Sequence, residues 1–373
     1  MKTPKTISYS GEALCAMKAE GKVPEKVLNA LRATADEMLT LPAVSVVARN
    51  QHPLDGNRHA YASMGPYWWP NPDTSDGLPY VRRDGEKNPE TIESETYEVM
   101  ATRAHTLALA AFYFENMAYA QKAVEALSVW HLDEATYMEP HARFAQSVPG
   151  VCEGRGIGLI DFSHSHEVFD AVAILEAMDE ISPATAEGLR KWYCTFIDWM
   201  LTHEQGIAED IHHNNHGTWY DVQVLSAALF TGREYLAKRV MLLAYDRRLK
   251  AHIMPDGKQP HELERTRALN YSLYNLMALS FIANMASRMG ETRYLSSDES
   301  TKEPLLKMAY DFLIPHCIDP ETSPYAEIDP HDVHPLFARM GLWMGKLFQT
   351  EEYADLVAPY LHEKMLWRAY PMI

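Results

Sequence analysis

The chain has 373 residues, with 34 Lys and Arg against 51 Asp and Glu, a formal net charge of −17. That balance excludes the basic footprint of a nucleic-acid-binding protein and adsorption to an anionic membrane surface. Taken alone, it also argues against a polyanionic substrate. Apolar residues make up 47% and charged residues 23%, ordinary for a soluble globular protein with a large core. Length alone suggests two domains, although toroidal and barrel folds run longer as single ones. The four cysteines, Cys15, Cys152, Cys194 and Cys317, form no C-x-x-C pair, and free, mostly buried thiols are expected. No stretch approaches the ~18 apolar residues of a membrane-spanning helix. The basic start Met1-Lys2-Thr3-Pro4-Lys5 is not followed by an apolar run, so no signal peptide is visible.

Helical periodicity dominates the chain. Val27, Leu28, Leu31, Ala35, Met38 and Leu39 share a face over 24–40, with Pro24 suited to a first turn. An Ala/Leu-rich pattern runs over 94–118 and another over 165–180. Ser182-Pro183 reads as an N-cap followed by proline at the first helical position, opening a helix with Leu189, Trp192, Tyr193, Phe196 and Met200. Further helices are predicted at 219–231, 233–250, 262–288, 302–316, 333–348 and 351–366. No convincing run of alternating strand residues is present. Helices separated by loops at fairly even intervals, without a detectable sequence repeat, point to stacked helical hairpins in one ring-like fold.

Residues 50–92 stand apart as a long loop rich in proline and glycine. It holds Tyr61, Tyr67, Trp68, Trp69 and Tyr80, which a disordered segment would lack. Such a loop can stack on sugar rings or cover a cleft, and Arg82, Arg83 and Lys87 add positive charge. The competing reading is that its aromatics only pack the loop onto its own domain.

Two clusters carry candidate chemistry. The first is His212-His213-Asn214-Asn215-His216-Gly217-Thr218-Trp219-Tyr220-Asp221. Its histidines lack the spacing of a zincin helix, and no clear third ligand is indicated, although His164 and His166 are candidates. The alternative places Asn215 and His216 side by side at a helix entrance, where an amide can donate to a carboxylate and an imidazole can accept a proton. A capped helix start with solvated histidines is the bland reading. The second cluster runs from Asp256 to Tyr274, with a helix predicted to begin near Pro260. On that helix Arg267, Tyr271 and Tyr274 fall near one face, with Arg265 about 120° from Tyr271. A guanidinium and a phenol facing one cleft could bind a carboxylate and donate a proton. A surface helix with Arg–Glu pairs to Glu262 and Glu264 fits the same residues. Glu153, Asp161, Glu167 and Asp221 are available as paired acids for glycoside hydrolysis, but their spacing singles none out. Gly154-Arg155-Gly156-Ile157-Gly158 is a glycine run without the preceding strand of a nucleotide-binding motif.

Taken together, Tyr67-Trp68-Trp69-Pro70-Asn71-Pro72-Asp73, Gly77-Leu78-Pro79-Tyr80 with Arg82-Arg83-Asp84-Gly85, Glu153-Gly154-Arg155-Gly156, Asn214-Asn215-His216-Gly217-Thr218-Trp219-Tyr220-Asp221, and Glu262 to Ser272 resemble the alginate lyase superfamily of polysaccharide lyases, most closely the type of polysaccharide lyase family 38. The resemblance implies an all-α fold, an α/α toroid built as an incomplete barrel of helical hairpins. It implies one lyase domain over 1–373, with 50–92 as an active-site loop over the cleft. It further implies β-elimination of a 4-linked polyuronate, mannuronate-rich alginate or glucuronan, with no metal and no cofactor. By position, Asn215 would hold the substrate carboxylate, and His216 would help neutralise it or act as base. Arg265 would bind the carboxylate or favour the tyrosinate, and Tyr271 would protonate the leaving oxygen and could also be the base. Tyr67, Trp68, Trp69, Arg82, Arg83, Arg155, Asn214, Arg267 and Tyr274 would bind substrate. Tyr274 and Arg267 also fit the catalytic tyrosine and arginine slots. The partner implied is an anionic polysaccharide, with no nucleic acid, no membrane and an oligomeric state left open. A periplasmic or secreted location is expected with any leader removed, and a cytoplasmic one stays open. A glycoside hydrolase on a similar helical fold and a non-catalytic carbohydrate-binding protein are the competing readings.

Overall fold

The computed structural model describes residues 2–53, 55–297 and 300–361, without the side chains of 92–94. The chain forms two compact units. One comprises residues 2–6, 32–211 and 227–233; the other comprises 7–31, 212–226 and the described residues of 234–361.

In chain order the elements are α1 (Gly11–Ala19), α2 (Glu25–Thr40), β1 (Ala62–Met64), β2 (Trp68–Trp69), β3 (Val81–Arg82), α3 (Thr96–Phe114), α4 (Met117–His131) and β4 (Phe144–Ser147). Then come α5 (Ser165–Ala177), α6 (Pro183–Thr202), α7 (Glu204–Asp210), α8 (Asn215–Phe230), α9 (Glu234–Ala244), α10 (Pro260–Leu263), α11 (Ala268–Arg288), α12 (Leu305–Ile318), α13 (His334–Leu347) and α14 (Glu352–Val357). A π-helical turn, Tyr245–Lys250, continues α9. The expected all-α class is what these residues build. Strands are two to four residues long: β1 pairs in parallel with β4, and β2 pairs antiparallel with β3.

In the first unit α3 packs against α4 and α5 and is buried almost all round. Its core is aromatic, with Tyr97, Trp130, Phe162, Phe169 and Tyr193 fully or nearly fully buried. The buried phenols are satisfied internally: Tyr97 and Tyr193 share a 2.5 Å hydrogen bond, and His131 Nε2 lies 3.1 Å from the Tyr193 hydroxyl. In the second unit Phe281 packs edge-on to Trp343 and close to Trp219. Ser182 caps α6 through Thr185 N at 3.0 Å, with Pro183 in the first turn, as the sequence predicts.

Three helices escape the sequence pattern: α1, α4 and α7. Of these, α4 is the longest. The predicted helix over 94–118 ends at Phe114, and the chain reverses through Glu115, which takes a left-handed conformation at φ 52°. Asn116 then caps α4 by accepting from Ala118 N. Glutamate is an unusual residue for that conformation, so no glycine or proline marks the break. The predicted helix over 351–366 is seen as α14, and its residues from 362 lie outside the described ones. All four cysteines are free; Cys317 is buried, and the other three are only half-buried. No helix among the described residues is long and apolar enough to cross a membrane.

Candidate active site

In the second unit α8 begins at Asn215, the helix entrance expected of this cluster. Asn214 Oδ1 accepts from His216 N at 3.2 Å, so Asn214 acts as the cap of the helix. The helix start is held from behind by a buried ion cluster. Asp221, fully buried, accepts from Arg248 Nε at 2.8 Å and is also paired with Arg247. Arg248 Nη1 in turn donates to the His212 carbonyl at 2.7 Å. The π-helical turn lets the consecutive Arg247 and Arg248 reach one carboxylate. Gly217 is required where this guanidinium crosses the helix: a Cβ there would stand 2.2 Å from the His212 oxygen and 2.5 Å from Arg248 Nη1. Asn215 itself is buried and is gripped by Glu262. The Glu262 carboxylate accepts from Asn215 N at 2.6 Å and from Asn215 Nδ2 at 2.8 Å. His216 is half-buried, with its ring 5.6 Å from that of His212.

The helix predicted to run from about Pro260 is broken. α10 is one turn long, and α11 starts only at Ala268. Between them the backbone exchanges helical hydrogen bonds for a bridge to 326–328. Ala268 N donates to Ala326 O at 2.8 Å, and Ile328 N donates to Thr266 O at 3.1 Å. Glu327 Oε2 accepts from Leu269 N and Asn270 N, satisfying the first turn of α11. This corrects the face inferred for Arg267, Tyr271 and Tyr274, because Arg267 lies outside the helix at φ −124° and ψ 57°. Arg267 pairs with Asp329 and, at 3.3 Å, with Asp332. Arg265 instead lies with its guanidinium carbon 4.1 Å from the centre of the Tyr271 ring. Tyr274 stacks on Trp219, with ring centres 4.9 Å apart. The sequence favoured Arg265 and Tyr271 over Arg267 and Tyr274; Arg265 and Tyr271 are in contact, whereas Arg267 pairs with two aspartates and Tyr274 stacks on a tryptophan.

In the first unit the aromatic loop is an ordered hairpin. Trp68 pairs with Arg82 and Trp69 with Val81, and Arg83 N donates to Tyr67 O at 2.8 Å. Arg83 lies 4.9 Å over the Trp69 ring, and Arg155 lies 5.6 Å over the Trp68 ring. Arg155 is fixed by Gln146, whose backbone oxygen accepts from Arg155 Nε at 2.8 Å. Gln146 Nε2 donates at 2.9 Å to Asp161, which also accepts from Tyr61 and Ser63. Burial pushes the Asp161 carboxyl up to about 6 despite these donors.

The proposed site residues therefore form two groups, one in each unit. Asn214, Asn215, His216, Arg265, Arg267, Tyr271 and Tyr274 belong to the second; Tyr67, Trp68, Trp69, Arg82, Arg83 and Arg155 belong to the first. The loop cations expected to supply positive charge have acidic neighbours: Arg82 with Asp84 at 2.5 Å, Arg83 with Glu86 at 3.8 Å and Lys87 with Glu95 at 3.0 Å. Of the acids considered for hydrolysis, Asp161 and Asp221 are buried in the networks above. Glu167 accepts from Thr102 at 2.7 Å beside His164, and Glu153 is exposed. The glycine run is a packing device: Cβ atoms on Gly154, Gly156 and Gly158 would lie 2.1, 2.5 and 2.5 Å from Arg143 O, Gln205 O and Ala145 Cβ. Among the described residues no three His, Cys, Asp or Glu side chains are arranged to hold a metal ion. Sequence reasoning missed Glu262, which it could read only as a surface partner of arginine. Its partner is 47 residues away, and no local pattern joins them.

The alginate lyase family profile matches residues 45–323. An alginate lyase from Bacteroides ovatus is similar in structure at a TM-score of 0.91 and 33% identity, covering 97% of each chain. Alginate lyase A1-III from Sphingomonas species A1 is similar in fold at a TM-score of 0.56 and 15% identity, covering 88% of this chain and 89% of that one. A histidine-to-alanine variant of alginate lyase A1-III, complexed with a tetrasaccharide, is similar at a TM-score of 0.61 and 15% identity, over 94% of this chain and 91% of that one. No curated protein matches the chain.

Proposed function

We propose, from the premise that the chain belongs to the alginate lyase family, that it cleaves a 4-linked polyuronate by metal-independent β-elimination. Membership makes it a polysaccharide lyase acting on an anionic polysaccharide. The finer reading is of mannuronate-rich alginate or glucuronan as substrate. Removing the C5 proton of a uronate builds negative charge onto its carboxylate, so the reaction needs donors and a cation at that carboxylate. It also needs a base at C5 and an acid at the bridging O4.

Asn215 and His216 lie in the first turn of α8, where the helix dipole favours an anion; their own backbone N–H groups are used on Glu262 and Asn214, so their side chains are the groups we assign to the substrate. Asn215 uses one Nδ2 hydrogen on Glu262, and its second is the donor we assign to the substrate carboxylate. Arg265 adds the cation. Tyr271 takes the C5 proton as tyrosinate and returns a proton to O4, both on one face of the sugar. His216 shares in neutralising the carboxylate or serves as the base in place of Tyr271. In the other unit Tyr67, Trp68 and Trp69 offer sugar-stacking surfaces, with Arg82, Arg83 and Arg155 beside them.

The observation that carries this reading is the Arg265 guanidinium lying on the Tyr271 ring. A cation in that position favours negative charge on the phenol oxygen, as a tyrosine base requires. The test is incubation with polymannuronate, glucuronan and a neutral glycan, with and without a chelator. A lyase gives a rise in ultraviolet absorbance from the unsaturated uronate; release of reducing ends without it would establish a hydrolase, and neither signal a binding protein. Chelator sensitivity would sink metal independence. Tyr271→Phe should abolish the rise while retaining binding, and Tyr274→Phe should leave most of it. Full activity in Tyr271→Phe removes Tyr271 from its role.

A further inference from the structure

We propose that Glu262 is a positioning residue for the elimination, fixing which end of the Asn215 amide faces the substrate; this rests on the lyase reading above. Glu262 lies in the single turn of α10, opened by Pro260, and is only 1% exposed. Burying a carboxylate is costly unless it is paired and hydrogen-bonded, and a glutamate on the surface would incur no such cost. Here both oxygens are used, and both are used on one residue. Oε1 takes the Asn215 backbone N–H at 2.6 Å, and Oε2 takes Asn215 Nδ2 at 2.8 Å.

An ionised carboxylate only accepts, so the Asn215 amide has one permitted orientation, with nitrogen toward Glu262 and oxygen away. The second Nδ2 hydrogen is thereby directed away from Glu262 and kept for a ligand. Without the carboxylate the amide could turn over and present its oxygen where a donor is needed. The chain also links Glu262 to the cation of the site. Arg265 N donates to the Glu262 carbonyl at 3.1 Å. Burial pushes the Glu262 carboxyl above the ordinary glutamate value, and the two Asn215 donors and the Arg265 guanidinium act against that to favour the ionised form. One residue thus ties together the amide and the guanidinium assigned to the substrate carboxylate.

A glutamine at 262 keeps the size but not the chemistry. Its oxygen can take the Asn215 backbone N–H, which leaves its own NH2 facing the side-chain amide and turns that amide over. The experiment measures kcat and KM on the preferred polyuronate by ultraviolet absorbance for wild type, Glu262→Gln, Asn215→Ala and the double variant. A mispositioned donor should lower kcat of Glu262→Gln by about 10- to 100-fold, with KM moving much less. In the Asn215→Ala background the same change should cost nothing further, because the group being positioned is gone. Wild-type kcat in Glu262→Gln, or a full multiplicative loss in the double variant, overturns the proposal. Should Glu262→Gln fail to fold, Glu262→Asp provides the same comparison with the charge kept and the carboxylate withdrawn by one methylene. An inactive wild type on every polyuronate would sink the lyase reading and this proposal with it; an active wild type with an unaffected Glu262→Gln sinks this proposal alone.

Discussion

Replacing Arg265 and Arg267 one at a time by alanine should separate a chemical arginine from a structural one. Arg267, its own side chain only 16% exposed, pairs with Asp329 and Asp332, whose side chains are 52% and 65% exposed. Ion pairs with exposed acids are worth about 0.2–1 kcal/mol each, so losing both should cost Arg267→Ala about 1–2 kcal/mol of stability. Its kcat should stay within a few-fold of wild type. Arg265 is half-buried and 4.1 Å from the Tyr271 ring centre. A tyrosinate carries its charge mainly on the oxygen, not at the ring centre; unit charges about 4–5 Å apart interact by about 1 kcal/mol in bulk water and about 3–4 kcal/mol at an effective dielectric of 20. If that interaction is made only when the phenol carries negative charge, losing it slows the reaction by about 5- to 1,000-fold. Arg265→Ala should therefore lose kcat at a nearly unchanged unfolding temperature. Arg265→Lys should recover part of the rate, since it keeps the charge but loses the planar stack. The measurements are ultraviolet absorbance on polymannuronate and glucuronan, and thermal unfolding of each variant. The reasoning fails if Arg267→Ala is inactive at wild-type stability while Arg265→Ala turns over normally.

Gly217→Ala places a methyl against a backbone oxygen that cannot swing away and against a buried guanidinium. Overpacking of this kind costs about 1–3 kcal/mol, and the displaced Arg248 also releases the His212 carbonyl at the helix entrance. The variant should show a lower unfolding midpoint together with lower kcat, and an unchanged midpoint would contradict the close approach. Burial holds His131 at about 4 and both His166 and His252 at about 3, below the ordinary histidine value. Groups lowered on folding contribute stability above about pH 6.5 that is lost as pH falls toward their folded values. Asp161, raised to about 6, acts in the opposite direction, its contribution being lost as pH rises toward 6. Between pH 5 and 6 these four groups by themselves bind about two more protons in the unfolded chain than in the folded one, three from the histidines less one from Asp161. Their contribution is a rise in stability to urea on the order of 2–3 kcal/mol per pH unit across that interval. A flat profile would show that these histidines are not held neutral.

What the sequence made legible follows the range of the interaction involved. The Ser182-Pro183 cap and the apolar faces of α6 are set by residues within a few positions, and the structure forms them where the pattern places them. A helix entrance in the Asn215 cluster is visible for the same reason, although periodicity starts the helix at 219, four residues after its first residue Asn215. The reversal at Glu115 is invisible because a left-handed glutamate carries no mark in the sequence. The break between α10 and α11 is invisible because its cause, the bridge of Thr266–Ala268 to 326–328, lies about 60 residues downstream. Periodicity alone continued the helix through Glu264–Arg267 and put Arg267 on the wrong surface. The same limit hid Glu262, whose burial is decided by Asn215 and not by its neighbours in the chain.

The net charge of −17 remains the property that most opposes a polyanionic substrate. The structure changes how that opposition acts. The loop cations Arg82, Arg83 and Lys87 are not a bare positive surface, since Asp84, Glu86 and Glu95 lie beside them. Most of these side chains are more than two-fifths exposed, so each pair is held by little more than about 1 kcal/mol. Pairs that weak can be exchanged: under the proposed function, a carboxylate of the anionic polysaccharide would replace an aspartate or glutamate at little net cost. The acidic body opposes approach only within a Debye length of about 8 Å at physiological ionic strength. Beyond that distance the substrate is screened from it, and within it the exchangeable cations set the local field. The residues we propose for the chemical step have a different arrangement. There Arg265 lies on a tyrosine ring, and Asn215 is held by a buried glutamate that does not exchange. Weakly paired cations suit capture and release of a repeating polyanion, whereas a fixed amide and a fixed guanidinium suit a transition state whose charge must be met without rearrangement.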